Sequence, residues 1–275
     1  MRRIVSDEKD IYEVFDTFSE FLETCDSRKY KAGQGFSESA RTRYSDDDDW
    51  AGASYDRARD MLVHGYDKSI EAVSTRVNQL QKQSFVEKPQ RRRDFVGYTP
   101  IVPNVLMGYP KAMWNSKKEE KPYKVITLLY DAGVSCGVSK EELEEHGAKV
   151  VSYVMNLERL GYRIRIDALD GFTRDHTYAV RIAIKHEDQP INLKRIAFPM
   201  THVAFTRALG FDWYERCPDA KYMSGYGTPL YCLEKCEREK KLAPILGENE
   251  YYINYQLSPE EVFSSFADEL KGAGC

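Results

Sequence analysis

One stretch of the chain, residues 124–169, constrains the fold more than any other. It begins with Lys124–Tyr130 (KVITLLY), a nearly unbroken apolar run of the kind that a central strand covered on both faces requires. After a loop of small residues, Ser139 and Glu142 have the spacing of a capping box, which predicts the start of a helix. A second strand follows at Tyr162–Leu169. The stretch therefore predicts a βαβ-like unit.

The rest of the C-terminal half extends this unit into a sheet. Residues Thr177–Lys185 alternate apolar and polar side chains, and the gap after Leu169 is too short for a crossover helix, so we expect an antiparallel hairpin at one edge. The other predicted elements are a helix over 140–160, one or two helices over 190–209 broken at Pro199, a short helix over 230–240, a strand over 251–257 and a final helix over 258–270. The fold class is α/β, with a mostly parallel central sheet, an antiparallel edge hairpin and helices on both faces.

The N-terminal part is predicted to be helical and irregular. Apolar residues three and four apart in Ile11–Cys25 predict an amphipathic helix, and two further helices are predicted over residues 50–65 and 66–83. Residues 98–121 hold three prolines among many apolar side chains, which favours irregular chain packed against the main domain. We therefore predict an N-terminal region over residues 1–120, packed on a main domain over residues 121–275.

Charge and composition narrow the functional classes. Forty basic and forty-four acidic side chains give a net charge of -4, which provides no general attraction to nucleic acid or to acidic membranes. No apolar run approaches the length of about 18 residues that could cross a bilayer, and the first residues lack the apolar core of a signal peptide. Six scattered cysteines favour reduced thiols. These features predict a cytoplasmic protein with no membrane partner.

The loop after the first strand of the unit is the best candidate site, since ligands of open α/β folds bind at the carboxyl ends of parallel strands. Asp131 begins this loop and could simply cap nearby backbone amides. Alternatively, Gly133, Gly137 and the amides of the helix could hold a phosphate. Cys136 could act as a nucleophile activated by the helix N-terminus and a histidine.

The order of elements resembles that of a known superfamily. A strand, an Asp-x-x-x-Ser loop, a long helix ending in LERLGY, a hairpin, a helix pair, a strand and a helix resemble the von Willebrand factor A-like fold, over about residues 121–271. Within that superfamily the chain looks most like single-domain proteins of bacteriophages and mobile elements, which would place it in a host cytoplasm.

The resemblance implies a metal site of the MIDAS type. The family motif is Asp-x-Ser-x-Ser, and here Asp131 and Ser135 match it, while Gly133 replaces the middle serine. Thr201 is the best candidate for the distant threonine of the motif. The implied cofactor is Mg²⁺, bound weakly because one hydroxyl and one later carboxylate are missing.

Three functional classes remain open. The first is a non-enzymatic protein-binding or assembly factor, which uses the strand-end edge and a neighbouring aromatic loop containing Trp213, Tyr214, Tyr222 and Tyr226. The second is nucleic-acid binding through Arg91, Arg92, Arg93, Arg163 and Arg165. The third is an enzyme that depends on a divalent metal or on Cys136, and it ranks last because no complete catalytic constellation is visible.

Overall fold

The chain forms two compact units. The computed structural model describes residues 1–6, 8–30, 38–81, 92–115, 125–135, 137–159, 161–218, 226–247, 249–259 and 261–262. The first unit comprises residues 1–80 and 124–275, and the second comprises residues 81–123. Residues 1–80, part of the N-terminal region predicted to pack on the main domain, belong to the same unit as the main sheet.

Ten strands lie within the described residues. They are β1 (Arg2–Val5), β2 (Ile11–Phe15), β3 (Arg92–Asp94), β4 (Thr99–Pro100), β5 (Met113–Asn115), β6 (Val125–Asp131), β7 (Arg163–Thr173), β8 (Thr177–Lys185), β9 (Thr228–Pro229) and β10 (Glu250–Ile253). Seven of these strands form the main sheet, in the order β1-β2-β8-β7-β6-β10, with β9 paired to the end of β7.

The main sheet is mostly parallel. Strand β6 pairs in parallel with both β7 and β10, and β2 pairs in parallel with β8, while β1 and β2 form an antiparallel pair at the edge. The predicted α/β class, a mostly parallel sheet with an antiparallel edge pair, is therefore confirmed. The predicted position of the hairpin is wrong. Strands β7 and β8 are antiparallel as predicted, but they lie inside the sheet because β2 pairs with the other side of β8.

The predicted helix over residues 11–25 is wrong in its first half. Ile11–Phe15 is strand β2, and only from Phe18 does the chain become helical. The side chain of Thr17 accepts a hydrogen bond from the backbone N–H of Glu20 and so caps that helix. Five residues are too few for apolar spacing to separate a strand from a helix, and pairing with two neighbouring strands decides the outcome.

Nine α-helices occur in the described residues, together with one π-helix (Phe205–Gly210) and one 3₁₀-helix (Leu230–Cys232). The α-helices are α1 (Phe18–Ser27), α2 (Ala40–Arg43), α3 (Tyr55–His64), α4 (Asp67–Gln81), α5 (Val102–Leu106), α6 (Lys140–Arg159), α7 (Leu193–Thr201), α8 (Phe211–Arg216) and α9 (Lys235–Leu242). None of these helices is long and apolar enough to cross a membrane.

Two predictions about the helices have clear outcomes. The capping box is confirmed, since the N–H of Glu142 donates to Ser139 Oγ (3.2 Å) and the N–H of Ser139 donates to Glu142 Oε2 (3.1 Å). The predicted break at Pro199 is wrong, because α7 continues through the proline to Thr201. The second half of α7 is buried, and this packing outweighs the hydrogen bond that proline cannot donate.

The main sheet lies between two apolar layers. Alternate residues of β6 face opposite sides, so Leu128 and Tyr130 pack into a large cluster with the helices α1, α3, α6, α7 and α8. On the other side Leu129 packs with Leu230 and Leu242 in a smaller cluster. Because β6 is covered on both faces, its ends are the parts of the strand that can carry polar side chains.

The second unit contains a three-stranded antiparallel sheet, in the order β3-β5-β4, and the short helix α5. The prediction that this segment is irregular with buried apolar side chains is wrong. Its backbone hydrogen bonds are made between its own strands, and Val102, Val105, Leu106 and Met107 are at least half exposed.

The contact between α6 and α7 provides a test of this fold. A Cβ atom on Gly147 would overlap the carbonyl oxygen of Met200, so Gly147→Ala should lower the free energy of unfolding by about 1–3 kcal/mol. Gly137→Ala is the matched control, since no atom lies within 4 Å of its Cβ position. Urea denaturation of both variants measures the difference. Equal stability of the two variants would contradict the close approach of α6 and α7.

Candidate functional site

Two buried carboxylates meet where the parallel strands β6 and β7 end. Asp131 is the last residue of β6 and lies opposite Leu169, so Asp170 follows one step further along β7. The two side chains are only 1% and 2% exposed. A Cβ atom on Gly133 would lie 3.0 Å from Asp131 Oδ1 and 3.2 Å from Asp170 Oδ1, so both carboxylates border the same point.

Both oxygens of Asp131 accept hydrogen bonds. Oδ1 accepts the backbone N–H of Gly133 (3.0 Å), and Oδ2 accepts the hydroxyl of Tyr252 on the neighbouring strand β10. Burial raises the pKa of Asp131 to about 7, although these two donors act in the opposite direction. Burial and the charge of Asp131 also raise the pKa of Tyr252, so the tyrosine keeps the proton that it donates.

Asp170 is less well satisfied than Asp131. Neither of its oxygens has a hydrogen-bond partner of normal geometry among the described residues. The hydroxyl of Thr206 lies beside it, but this hydroxyl donates its proton to the carbonyl oxygen of Ala132 (2.7 Å). Burial, reinforced by the charge of Asp131, raises the pKa of Asp170 well above the ordinary value. Asp170 therefore holds its proton to a higher pH than an exposed aspartate does.

A glycine in the π-helix makes room for Asp170. A Cβ atom on Gly210 would collide with Asp170 Oδ2, so no other residue fits this position without displacing the carboxyl group. The π-helix Phe205–Gly210 has one more residue per turn than an α-helix, and such turns occur often at functional sites. Here it presents both Thr206 and Gly210 to the strand end.

Arg207, from the same π-helix, fixes the loop that follows Asp131. Its guanidinium group donates to the carbonyl oxygens of Ser135 (2.8 Å), Val138 (3.4 Å) and Trp50 (2.5 Å). The guanidinium carbon also lies 4.9 Å from the centre of a ring of Trp50. One buried cation thus joins the loop to a segment from the N-terminal part of the chain.

That segment, residues 38–53, is also bonded to α8. Arg41 donates two hydrogen bonds of 2.9 Å to the buried carboxylate of Asp212, and Arg43 donates one of 2.7 Å to buried Glu215. Bidentate and charge-assisted bonds of this kind are among the strongest in proteins. Docking of a partner at the strand-end edge stays a prediction.

The predicted Mg²⁺ ligands make hydrogen bonds of their own. The hydroxyl of Thr201 donates to the carbonyl oxygen of Ala197 inside α7 (2.7 Å), and Gly133 has no hydroxyl. Asp131 and Ser135 are close in the chain, and both oxygens of Asp131 accept hydrogen bonds. Within the described ranges, no group of three or more His, Cys, Asp or Glu side chains could hold a metal ion. A MIDAS-type site at Asp131, Ser135 and Thr201 stays a prediction.

The loop amides are also engaged. The N–H of Gly133 donates to Asp131, that of Ser135 donates to the hydroxyl of Tyr231 (2.9 Å), and that of Val138 donates to the carbonyl oxygen of Ser135 (3.3 Å). The predicted phosphate cradle therefore lacks free donors at these positions. Cys136, the candidate nucleophile, lies outside the described residues.

Comparison with known proteins assigns the chain to a family. A family model described as "Domain of unknown function (DUF7192)" matches residues 3–269. The chain belongs to the DUF7192 family. No curated protein and no solved structure matches it. The description of the DUF7192 family names no activity.

The predicted aromatic surface is not exposed in this DUF7192 chain. Trp213 and Tyr214 lie in α8 and are 0% and 3% exposed, and the indole N–H of Trp213 donates to the buried carboxylate of Glu13 (2.7 Å). Tyr226 is half-buried and stacks on Phe211, with a distance of 3.6 Å between the ring centres. Tyr222 lies outside the described residues. Trp213 and Tyr214 are therefore part of the core, and partner binding through Tyr222 and Tyr226 stays a prediction.

The predicted basic residues are divided between the two units. Arg91 and the side chain of Arg92 lie outside what the structure describes, and Arg93 is exposed on β3. Arg163 is exposed at the start of β7, whereas Arg165 Nε donates to both oxygens of buried Asp167 (2.9 and 3.1 Å). Because Asp167 neutralises Arg165, this side chain is a poor phosphate ligand. Nucleic-acid binding stays a prediction.

The position of one site residue, Asp170, could have been predicted from the sequence. Asp170 follows a strand parallel to and next to β6, so its position one step past Leu169 places it beside Asp131. Tyr252, Arg207 and Gly210 have no such signal, because their roles depend on the register of β10 and on the π-helix.

The carboxyl pair predicts an unusual pH dependence. An aspartate in an unfolded chain has a pKa of about 3.9. Folded Asp131, with a pKa of about 7, holds its proton more tightly, so its contribution to stability is complete below about pH 4 and is lost as the pH rises to about 7. Asp170, whose pKa is also raised, adds to this loss at higher pH.

We expect Asp170→Asn to remove part of this dependence, because asparagine stays neutral. Between pH 5 and pH 8 the loss of unfolding free energy should be smaller in the variant than in the wild type by more than about 1 kcal/mol. Urea denaturation at both pH values measures it, and Asp188→Asn, at an exposed position, is the control. Equal losses in the wild type and in Asp170→Asn would mean that Asp170 carries its charge in the folded protein.

Proposed function

We propose that this DUF7192 protein is a non-enzymatic protein-binding module whose docking surface is the apolar segment 95–109 of the second unit. One observation carries the proposal: within these fifteen residues, eight large apolar side chains are between 50% and 81% exposed. They are Phe95, Val96, Tyr98, Val102, Val105, Leu106, Met107 and Tyr109. We refer to them as the apolar segment.

The first unit has fewer exposed apolar side chains for its size. Over its much larger described part, only Met1, Val5, Trp50, Val63 and Val125 are large apolar side chains with comparable exposure. A few exposed apolar side chains are normal for a protein surface, whereas a concentration of them marks an interaction site. Full burial of one aliphatic side chain contributes about 1.5–3 kcal/mol, so a few of them suffice for specific binding.

The helix α5 gives the apolar segment a defined face. Val102, Val105 and Leu106 are spaced three and four residues apart, so they project from one side of the helix. Leu106, at 81%, is the most exposed of the eight side chains. A short helix that presents aliphatic anchors matches the helix-in-groove mode of recognition.

The charge of the unit indicates the chemistry of the partner. Residues 92–115 contain three basic side chains, Arg92, Arg93 and Lys111, and one acidic side chain, Asp94. A partner with an apolar groove and an acidic rim would complement both features. The burial of the strand-end carboxylates Asp131 and Asp170 supports a non-catalytic role.

Leu106→Asp tests the proposal. A charge at the centre of the apolar segment should weaken partner binding at least tenfold, because the aspartate would lose its hydration in the complex. The measurement is affinity capture from the native cell, followed by titration of the purified captured protein with the wild type and with the variant.

The matched control is Val63→Asp, which introduces the same charge at an equally apolar and comparably exposed position (56%) on α3. It should bind the captured protein like the wild type. If Leu106→Asp captures and binds the same proteins as the wild type with unchanged affinity, the apolar segment is not the docking surface.

A further inference from the structure

An open groove runs between the helices α4 and α6 of the first unit. Its volume is about 490 Å³, within the range of roughly 300–1,000 Å³ that is usual for cavities that bind ligands. Each helix contributes one stripe of side chains spaced three and four residues apart. The lining residues are Lys68, Glu71, Ala72, Thr75, Glu141, Glu144, Glu145 and Ala148.

The groove combines small apolar side chains with acidic ones. Ala72 of α4 and Ala148 of α6 both line the groove, and four glutamates against one lysine give the lining an excess of negative charge. Partial burial and the neighbouring charge of Glu141 raise the pKa of Glu144, which shows that carboxylates are crowded along α6. A cationic occupant would relieve this repulsion.

The apolar segment has the complementary properties. It presents Val102, Val105 and Leu106 on one face of α5, and the surrounding residues 92–115 have two more basic than acidic side chains. The chain therefore contains both an apolar, basic surface and an apolar, acidic groove.

We propose that the groove between α4 and α6 receives the apolar segment of a second copy of this chain. The inference deepens the proposed function and rests on it, since it names one partner of the apolar segment. The aliphatic side chains of α5 would contact Ala72 and Ala148, while Arg93 and Lys111 would lie near the glutamates.

Such a contact joins two different surfaces, so it is heterologous. After one copy docks on another, a groove remains free at one end and an apolar segment at the other. The assembly therefore grows with concentration into rings or linear oligomers, and it weakens at high salt because part of the attraction is between exposed charges.

Analytical ultracentrifugation over a wide concentration range tests the inference with two variants. Leu106→Asp disables the apolar segment and leaves the groove intact. Glu71→Lys with Glu144→Lys reverses two charges of the groove and leaves the apolar segment intact. We expect the wild type to form oligomers as its concentration rises, and each variant alone to remain a monomer whose circular dichroism spectrum is that of the wild type.

The decisive sample is an equimolar mixture of the two variants. Leu106→Asp supplies a groove and the charge-reversed variant supplies an apolar segment, so the mixture should form a heterodimer that cannot extend further. Glu237→Lys, an exposed charge reversal on α9, is the control and should assemble like the wild type.

Two results would overturn the inference: a wild type that stays monomeric at every concentration, and a mixture of the variants that stays monomeric. If either occurs while Leu106→Asp still loses its captured protein, the proposed function stands and only the groove as its binding site is rejected. If Leu106→Asp changes neither capture nor assembly, both proposals fail.

Discussion

Ion pairs between buried carboxylates and arginines of the N-terminal segment hold the first unit together. Glu13 on β2 and Asp212 and Glu215 on α8 are 0–1% exposed, and each is bonded to an arginine from residues 28–43. A buried carboxylate without its partner would be strongly destabilising, so these pairs fix Arg28, Arg41 and Arg43 against β2 and α8. Later in the same segment, the backbone of Trp50 accepts a hydrogen bond from Arg207.

Burial of the strand-end carboxylates has chemical consequences. On an open surface, a carboxylate such as Asp131 would be hydrated and charged at neutral pH. Here it depends on Tyr252 and Gly133 for its hydrogen bonds, and its neighbour Asp170 is held without normal partners. Both carboxylates are thus part of the interior, although they stand at the strand ends where an α/β fold usually binds its ligand, and the exposed apolar segment lies in the second unit.

Local patterns in the sequence predict the elements whose signals are local. The apolar run of β6, the capping box at Ser139 and the alternation in β8 identify their elements correctly. The sequence does not predict that Trp213 is buried, because its burial follows from ion pairs between residues far apart in the chain. Nor can it predict the π-helix, whose register is set by Asp170 against Gly210. These features depend on contacts between residues far apart in the chain, so the spacing of residue types along the chain cannot predict them.

The parallel pairing of β2 with β8 also determines the order of folding events. Ile11 lies opposite Tyr178, so β2 has no neighbour on that side until β8 has been synthesised. Contacts of such high sequence separation close slowly, because a long loop must be ordered before they form. During synthesis the apolar strand Ile11–Phe15 is therefore exposed to solvent for longer than any other strand of the main sheet except β1, and it is the segment that we expect chaperones to bind.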